Sequence, residues 1–257
     1  MHVRHSLFLV KSGFGKFGII TLGLFLIFSL IAPILTKSPE SRTTSTLQSP
    51  SFEHLLGTND VGQDILSRLI WGARTSILVA VGVASISTLL SILAGASAAL
   101  IGGIYEKVIM RIIDLFLVFP SLIVLILIAT FVKPSIWMLI ILISVLRWQG
   151  GARIIRAQIL SLKEQMHVSS ALSFGANKAY ILIKHIIPEL APIIVVSLIY
   201  RARMAVFMEA GLAFLGIADP TMISWGTMIN HSLKFYYLSA WKWWLVPAGA
   251  ALSLLIL

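Results

Sequence analysis

Cysteine is absent from all 257 residues, so neither a disulfide framework nor a thiolate metal site is open to this chain. Charge is nearly as scarce. Charged residues make up 12% of the sequence, against about 25% in an ordinary soluble domain. Acids are the scarcer sign, ten against twenty Lys and Arg. No G-x-x-x-x-G-K-[ST] occurs, and Gly13-Phe-Gly-Lys16-Phe is a basic flank without that spacing, so the chain lacks its own phosphate-cradling loop. The six histidines, His2, His5, His54, His167, His185 and His231, form no i,i+4 pair and no carboxylate-supported cluster along the sequence, and no metal site is read from them. No nucleophile elbow is present either, so no catalytic residue is assigned.

What the sequence does have is apolar length. Hydrophobic residues reach 58% and the mean hydropathy is +0.96, which predicts an all-α, polytopic membrane protein. The net charge of +10 would suggest nucleic acid in a soluble protein. Here the basic residues fall in short loops with no interleaved aromatic patch, so they read as the positive segments that stay inside, and nucleic acid is not a partner.

A bilayer core of about 30 Å asks for about 20 apolar helical residues. Phe17 to Thr36 is the first such run, after a basic stretch from Met1 to Lys16 expected in the cytoplasm. The competing reading is a cleaved signal peptide, but the run exceeds an h-region and no A-x-A-like site follows. Residues 37–74 are expected outside, with Asp60 and Asp64 leading a short interfacial helix over Ile65, Leu66, Leu69 and Ile70. Thr75 to Tyr105 carries no charge, and its Gly82, Ala84, Ser87, Ser91, Gly95 and Ala98 allow close helix approach, so this span is expected to be buried. Gly102-Gly103 turns the chain into a third span, Leu115 to Val132, kinked at Pro120, and Lys133-Pro134 marks the outside. The fourth span, about Ser135 to Ala152, must include Arg147 to reach full length. A fifth begins near Ala191, and Ala218 to Lys242 is an outer loop whose Trp225, with Trp241, Trp243 and Trp244, fits an interfacial aromatic belt. The last run, Trp243 to Leu257, is about 15 residues, roughly 22 Å of helix. It reads as a sixth span cut short, by a fragment or by a helix ending within the membrane.

Between the fourth and fifth spans, about residues 153–190, lies the largest basic loop, with Arg153, Arg156, Lys163, Lys178 and Lys184. Within it Ser169, Ser170 and Ala171, then Gly175 and Ala176, then a helix-stopping Pro188 predict a short helix, a turn and a second short helix. That segment reads as a docking site. Arg201 and Arg203 fall about ten residues into the fifth span, where a guanidinium costs about 2.5–3.5 kcal/mol or more, so each should meet water, a counter-charge or a substrate. Two positions apart they diverge by about 200°, so one is expected on the path and the other against Asp114, Glu209 or a partner chain. The alternative is that both snorkel outward.

The segment His54-Leu-Leu-Gly57-Thr-Asn-Asp60-Val-Gly62-Gln-Asp64-Ile-Leu-Ser67-Arg68-Leu-Ile-Trp-Gly72-Ala-Arg74 resembles H-x-L-G-T-D-x-x-G-R-D-x-x-S-R-L-x-x-G-A-R of the second permease subunit of ABC importers for dipeptides, oligopeptides and nickel. Met110 to Ser121 and Leu160 to Gln165 look like further signatures of that family, Met208 to Gly216 like A-E-A-S-L-S-F-L-G, and Ser224-Trp225-Gly226-x-Met228 like S-W-G-x-M. Its EAA motif maps onto Ser169, Ser170, Ala171, Gly175, His185, Ile187 and Pro188, with Ser169 where Glu is usual. The resemblance covers nearly the whole chain. It implies a six-helix MetI-like permease whose core is residues 75–257, in the plasma membrane of a bacterium or archaeon. It also implies a homologous permease as partner, two ATP-binding subunits that hold ATP and Mg and grip the segment around Ser169, and an extracellular solute-binding protein. No cofactor is expected in this chain. Glu209 joins Arg201 and Arg203 as a path residue, and the substrate stays open between peptides and nickel or other metal chelates. A stand-alone channel or a membrane anchor for another complex is the rival reading.

Overall fold

A computed structural model describes residues 13–35, 38–132, 135–219 and 221–256. The basic residues Arg4 and Lys11 and the Lys133-Pro134 marker lie outside them. The described chain is helical, with two isolated bridges, Arg42 with Gln63 and Thr58 with Asp64, in place of strands. In order the helices are α1 Gly13–Leu35, α2 Ile65–Ile101, α3 Gly103–Val118, α4 Ser121–Phe131, α5 Ile136–Arg147, α6 Gln149–Lys163, α7 Met166–Ser173 and α8 Lys178–Ile181. A π-turn over Leu182–Ile186 joins α8 to α9 Ile187–Phe214, and α10 Trp225–Leu233 and α11 Trp241–Ile256 follow.

Among the described residues two stretches, Ile65–Ile101 and Lys178–Phe214, are long and apolar enough to cross a membrane, and up to four spans result if each bent pair counts as one. The bends are sharper than the sequence suggests. The third span does not kink at Pro120 but breaks there, α3 and α4 meeting at 79°. Phe119 is extended at ψ 130°, as the residue before a proline is driven to be. The fourth expected span is likewise α5 and α6, bent by 46° after Arg147. The short interfacial helix expected at Ile65 is the opening of the 37-residue α2, and the fifth span starts well before Ala191.

The chain divides into two compact units. One contains residues up to Val79, the link ending at Ile136 and residues from Val206 onward. Its core is Ile65, Ala73, Trp225, Met228, Trp244, Ala248 and Ala251. Trp225 and Trp244 are therefore interior residues rather than members of an aromatic belt, at 1% and 0% exposure. The motif from His54 to Arg68 ties itself into a knot in this unit. Asp64 accepts Ser67 N–H at 2.7 Å, capping α2, while its other oxygen lies 2.8 Å from His54 Nδ1. Asn59 Nδ2 and Arg68 Nη1 both donate to Gln63 Oε1, at 2.8 and 2.6 Å. Gly57 and Gly62 hold φ of +75°, and a Cβ on either would strike a backbone carbonyl.

The other unit, residues 80–132 and 137–205, packs the rest of α2 against α5 and α6. Gly82 receives Ile140, and Gly95 lies against the α6 backbone at Ala152. Only one face of α2 is enclosed, since Val81, Ile86, Leu89 and Leu93 are exposed. Arg153 pairs with Asp114 and Arg156 with Glu106, fastening α6 to α3. The tight turn at Gly102 and Gly103 is present, with φ of +73° and +62°.

Candidate functional site

The expected helix, turn and helix is formed between α6 and α9. Ser169, Ser170 and Ala171 lie on α7, Gly175 makes the turn at φ +82°, and Asn177 starts α8 by accepting Ala179 N–H at 3.0 Å. A Cβ at Gly175 would meet nothing within 4 Å, so the restriction there is the backbone angle and not obstruction. Ser169, where the motif has an acid, turns inward on its own helix, its hydroxyl donating to Met166 O at 3.1 Å. Pro188 does not stop the helix. It is the second residue of α9, and the wider turn before it is closed by Ile187 N–H on Leu182 O. Val168, Ile181, Ile186 and Leu190 bury one side of the segment against Ile155, Ile159 and Leu162 of α6 and Ala96 and Ala99 of α2. Met166, Phe174 and Ile183 remain exposed on it, an apolar surface on an otherwise polar loop.

His185 and His167 come together here, ring centres 6.1 Å apart, and His167 Nε2 lies 2.8 Å from Glu189 Oε1. With His54 and Asp64 that makes two His–carboxylate pairs that sequence spacing does not reveal, because their members stand 22 and 10 residues apart. Among the described residues no three His, Asp or Glu side chains gather closely enough to hold a metal ion.

The three path candidates separate. Arg201 is enclosed, Nη1 donating to Thr88 Oγ1 at 3.0 Å and Nη2 to Ser91 Oγ at 2.8 Å. Gly151 leaves the room for it, since a Cβ there would overlap the guanidinium. Two hydrogen bonds from a charged donor, about 1.5–3 kcal/mol each, offset an insertion cost of about 2.5–3.5 kcal/mol. Arg201 therefore needs no carboxylate, and Asp114 is held by Arg153. Glu209 is completely buried, with neither oxygen hydrogen-bonded in good geometry and the Ser224 hydroxyl as its polar neighbour. Arg203 alone is exposed. Its partner is the Tyr200 ring at 5.9 Å, an interaction of about 0.5–1 kcal/mol, which leaves most of the cost uncompensated.

Residues 87–257 match the family model described as the inner membrane component of binding-protein-dependent transport systems. The chain is 35% identical to a peptide permease protein of Brucella suis, over 91% of this chain and 79% of that one. It is 34% identical to the oligopeptide transport system permease protein of Bacillus subtilis, over 90% and 77% of the two chains. The dipeptide transport system permease protein of the same organism is 32% identical, over 92% and 74%.

Proposed function

The chain belongs to the inner membrane components of binding-protein-dependent transport systems, and from that premise we propose that it is the second permease subunit of an ABC importer for peptides. The observation carrying this reading is the similarity to peptide permeases over nine-tenths of the chain. It favours peptides over nickel chelates. A homologous permease would complete the path, two ATP-binding subunits would supply ATP and Mg chemistry, and a solute-binding protein would deliver the substrate outside. The chain itself hydrolyses nothing. The segment from Met166 to Ile186 would be the surface on which the ATP-binding subunits act, and Met166, Phe174 and Ile183 offer them apolar contact. Closure and separation of those subunits would bias the path between inward and outward openings. Co-purification of P-loop subunits with the tagged chain, together with ATP-dependent peptide uptake in proteoliposomes, tests this. A chain that conducts without them is a channel.

Orientation follows from charge, the basic loop around Lys163 and Lys178 lying in the cytoplasm with the N-terminus. Because the chain lacks cysteine, single-Cys variants report alone. Thr221→Cys should react with an impermeant maleimide on intact cells and Asn177→Cys should not. Labelling at 177 from outside would reverse the arrangement.

Arg203 is the residue we assign to the path, where a transient carboxylate such as a peptide C-terminus would complete its charge bidentately. Arg203→Gln should lower the uptake ratio of a free-acid peptide to its amidated analogue by about tenfold, equivalent to about 1.4 kcal/mol. Arg201→Gln should reduce the amount of folded protein and leave that ratio alone. Equal ratios in wild type and Arg203→Gln would make Arg203 a contact to the partner permease.

A further inference from the structure

The C-terminal turn of α2 ends on two ammonium groups. Lys163 Nζ donates to Ala99 O at 3.2 Å and Lys178 Nζ to Leu100 O at 2.9 Å. A helix leaves its last carbonyls without partners. Gly102 N–H takes Ala98 O at 3.0 Å, but the left-handed turn at Gly102 and Gly103 carries the chain away before the next two can be served. The lysines stand in for those donors, and their charge suits the negative end of the helix.

Their places in the chain give these caps a meaning beyond helix stability. Lys163 is the last residue of α6, just before the docking segment, and Lys178 is the first residue of α8, just after its turn. The segment is thus fastened to α2 on both sides of α7, and Val168, between the two fastenings, belongs to the same buried cluster as Ala96 and Ala99 of α2. We propose that Lys163 and Lys178 are positioning residues that deliver movement of the docking segment to α2, so that α2 and not only the directly connected α9 receives the stroke of the ATP-binding subunits. This rests on the reading of Met166 to Ile186 as the surface those subunits grip. The pair His167 and Glu189 ties α7 to α9 instead, which makes it the natural comparison.

The test uses the whole transporter, with both permeases, the ATP-binding subunits and the solute-binding protein reconstituted in proteoliposomes, and reads peptide uptake and ATP hydrolysis in the same sample. Lys163→Met with Lys178→Met keeps the aliphatic stems and removes both donors. Uptake per ATP should fall at least about fivefold, the lower end of coupling between two sites, while the ATP-binding subunits still co-purify. Lys163→Arg with Lys178→Arg should restore the ratio to within about twofold, because guanidinium also donates to carbonyls. Lys107→Met removes an exposed charge from α3, outside the segment that the ATP-binding subunits grip, and should leave the ratio at the wild-type value. If the double methionine variant does not reach the membrane, each single variant keeps one cap and should show a smaller loss in the same direction. An unchanged ratio in the double or in both single variants overturns the inference, as does an equal loss in Lys107→Met. Failure of the wild-type chain to retain ATP-binding subunits overturns the docking reading, and this inference with it.

Discussion

Trp225→Ala is expected to destabilise the protein by about 3–5 kcal/mol, the range for emptying a fully buried aromatic site. The indole is 1% exposed, its Nε1–H donates to Leu69 O at 2.9 Å, and the Phe25 ring lies 5.2 Å from it. Gly72 is fitted to it, since a Cβ there would stand 2.9 Å from the ring. Lipid chains are as apolar as a leucine side chain, so among membrane helices transfer from water contributes little. What alanine loses is packing against Phe25 and α2 and the bond to Leu69. Trp225→Phe separates the two, keeping a ring and losing the N–H, at about 1 kcal/mol. Thermal unfolding of the detergent-purified protein measures both. An alanine variant as stable as wild type would mean that the indole is not enclosed.

Gly95→Val should prevent stable packing of α2 on α6. A Cβ at that position would lie 2.6 Å from Ala152 O, 3.1 Å from Arg156 N and 3.1 Å from Ile155 Cβ. Backbone atoms cannot rotate away as a flexible side chain can, so the helices must separate, and the cost should reach or exceed the about 1–3 kcal/mol typical of overpacking. Separation would also weaken the enclosure of Ala96 and Ala99 beside the docking segment. Gly249→Ala is the control, because its Cβ meets nothing within 4 Å and alanine gains up to about 1 kcal/mol of helix propensity. The readout is the yield of monodisperse protein after solubilisation. Equal yields from Gly95→Val and wild type would contradict the close contact.

The sequence was most legible where the signal is local. Uncharged runs located α1 and α2, Gly102-Gly103 located the turn, and Gly175 located the break between α7 and α8. It was least legible where one composition serves two purposes. A tryptophan-rich stretch near a span suits an interface and a core equally, and the indole partner that decides, Leu69, is 156 residues away. Arg201 could not be separated from Arg203 without Thr88 and Ser91, more than 100 residues earlier. The lysine caps are hidden for the same reason, with 78 residues between Lys178 and Leu100. Pro188 does not act as a stop because that rule assumes an α-helical ladder, and the turn before it is not one.

That wide turn over Leu182–Ile186 has an angular consequence. It holds one residue more than an α-helical turn, so everything after it lags in phase by about 100° relative to an uninterrupted helix. Counting in steps of 3.6 from the docking segment to Arg203 therefore assigns the wrong azimuth. The residue total between the two fixes a heading as well as a distance: removal of one residue from the wide turn would restore an α-helical turn and leave Arg203 on its heading, whereas removal of one from the α-helical stretch that follows would swing it by roughly a quarter-turn and shorten the rod by about 1.5 Å.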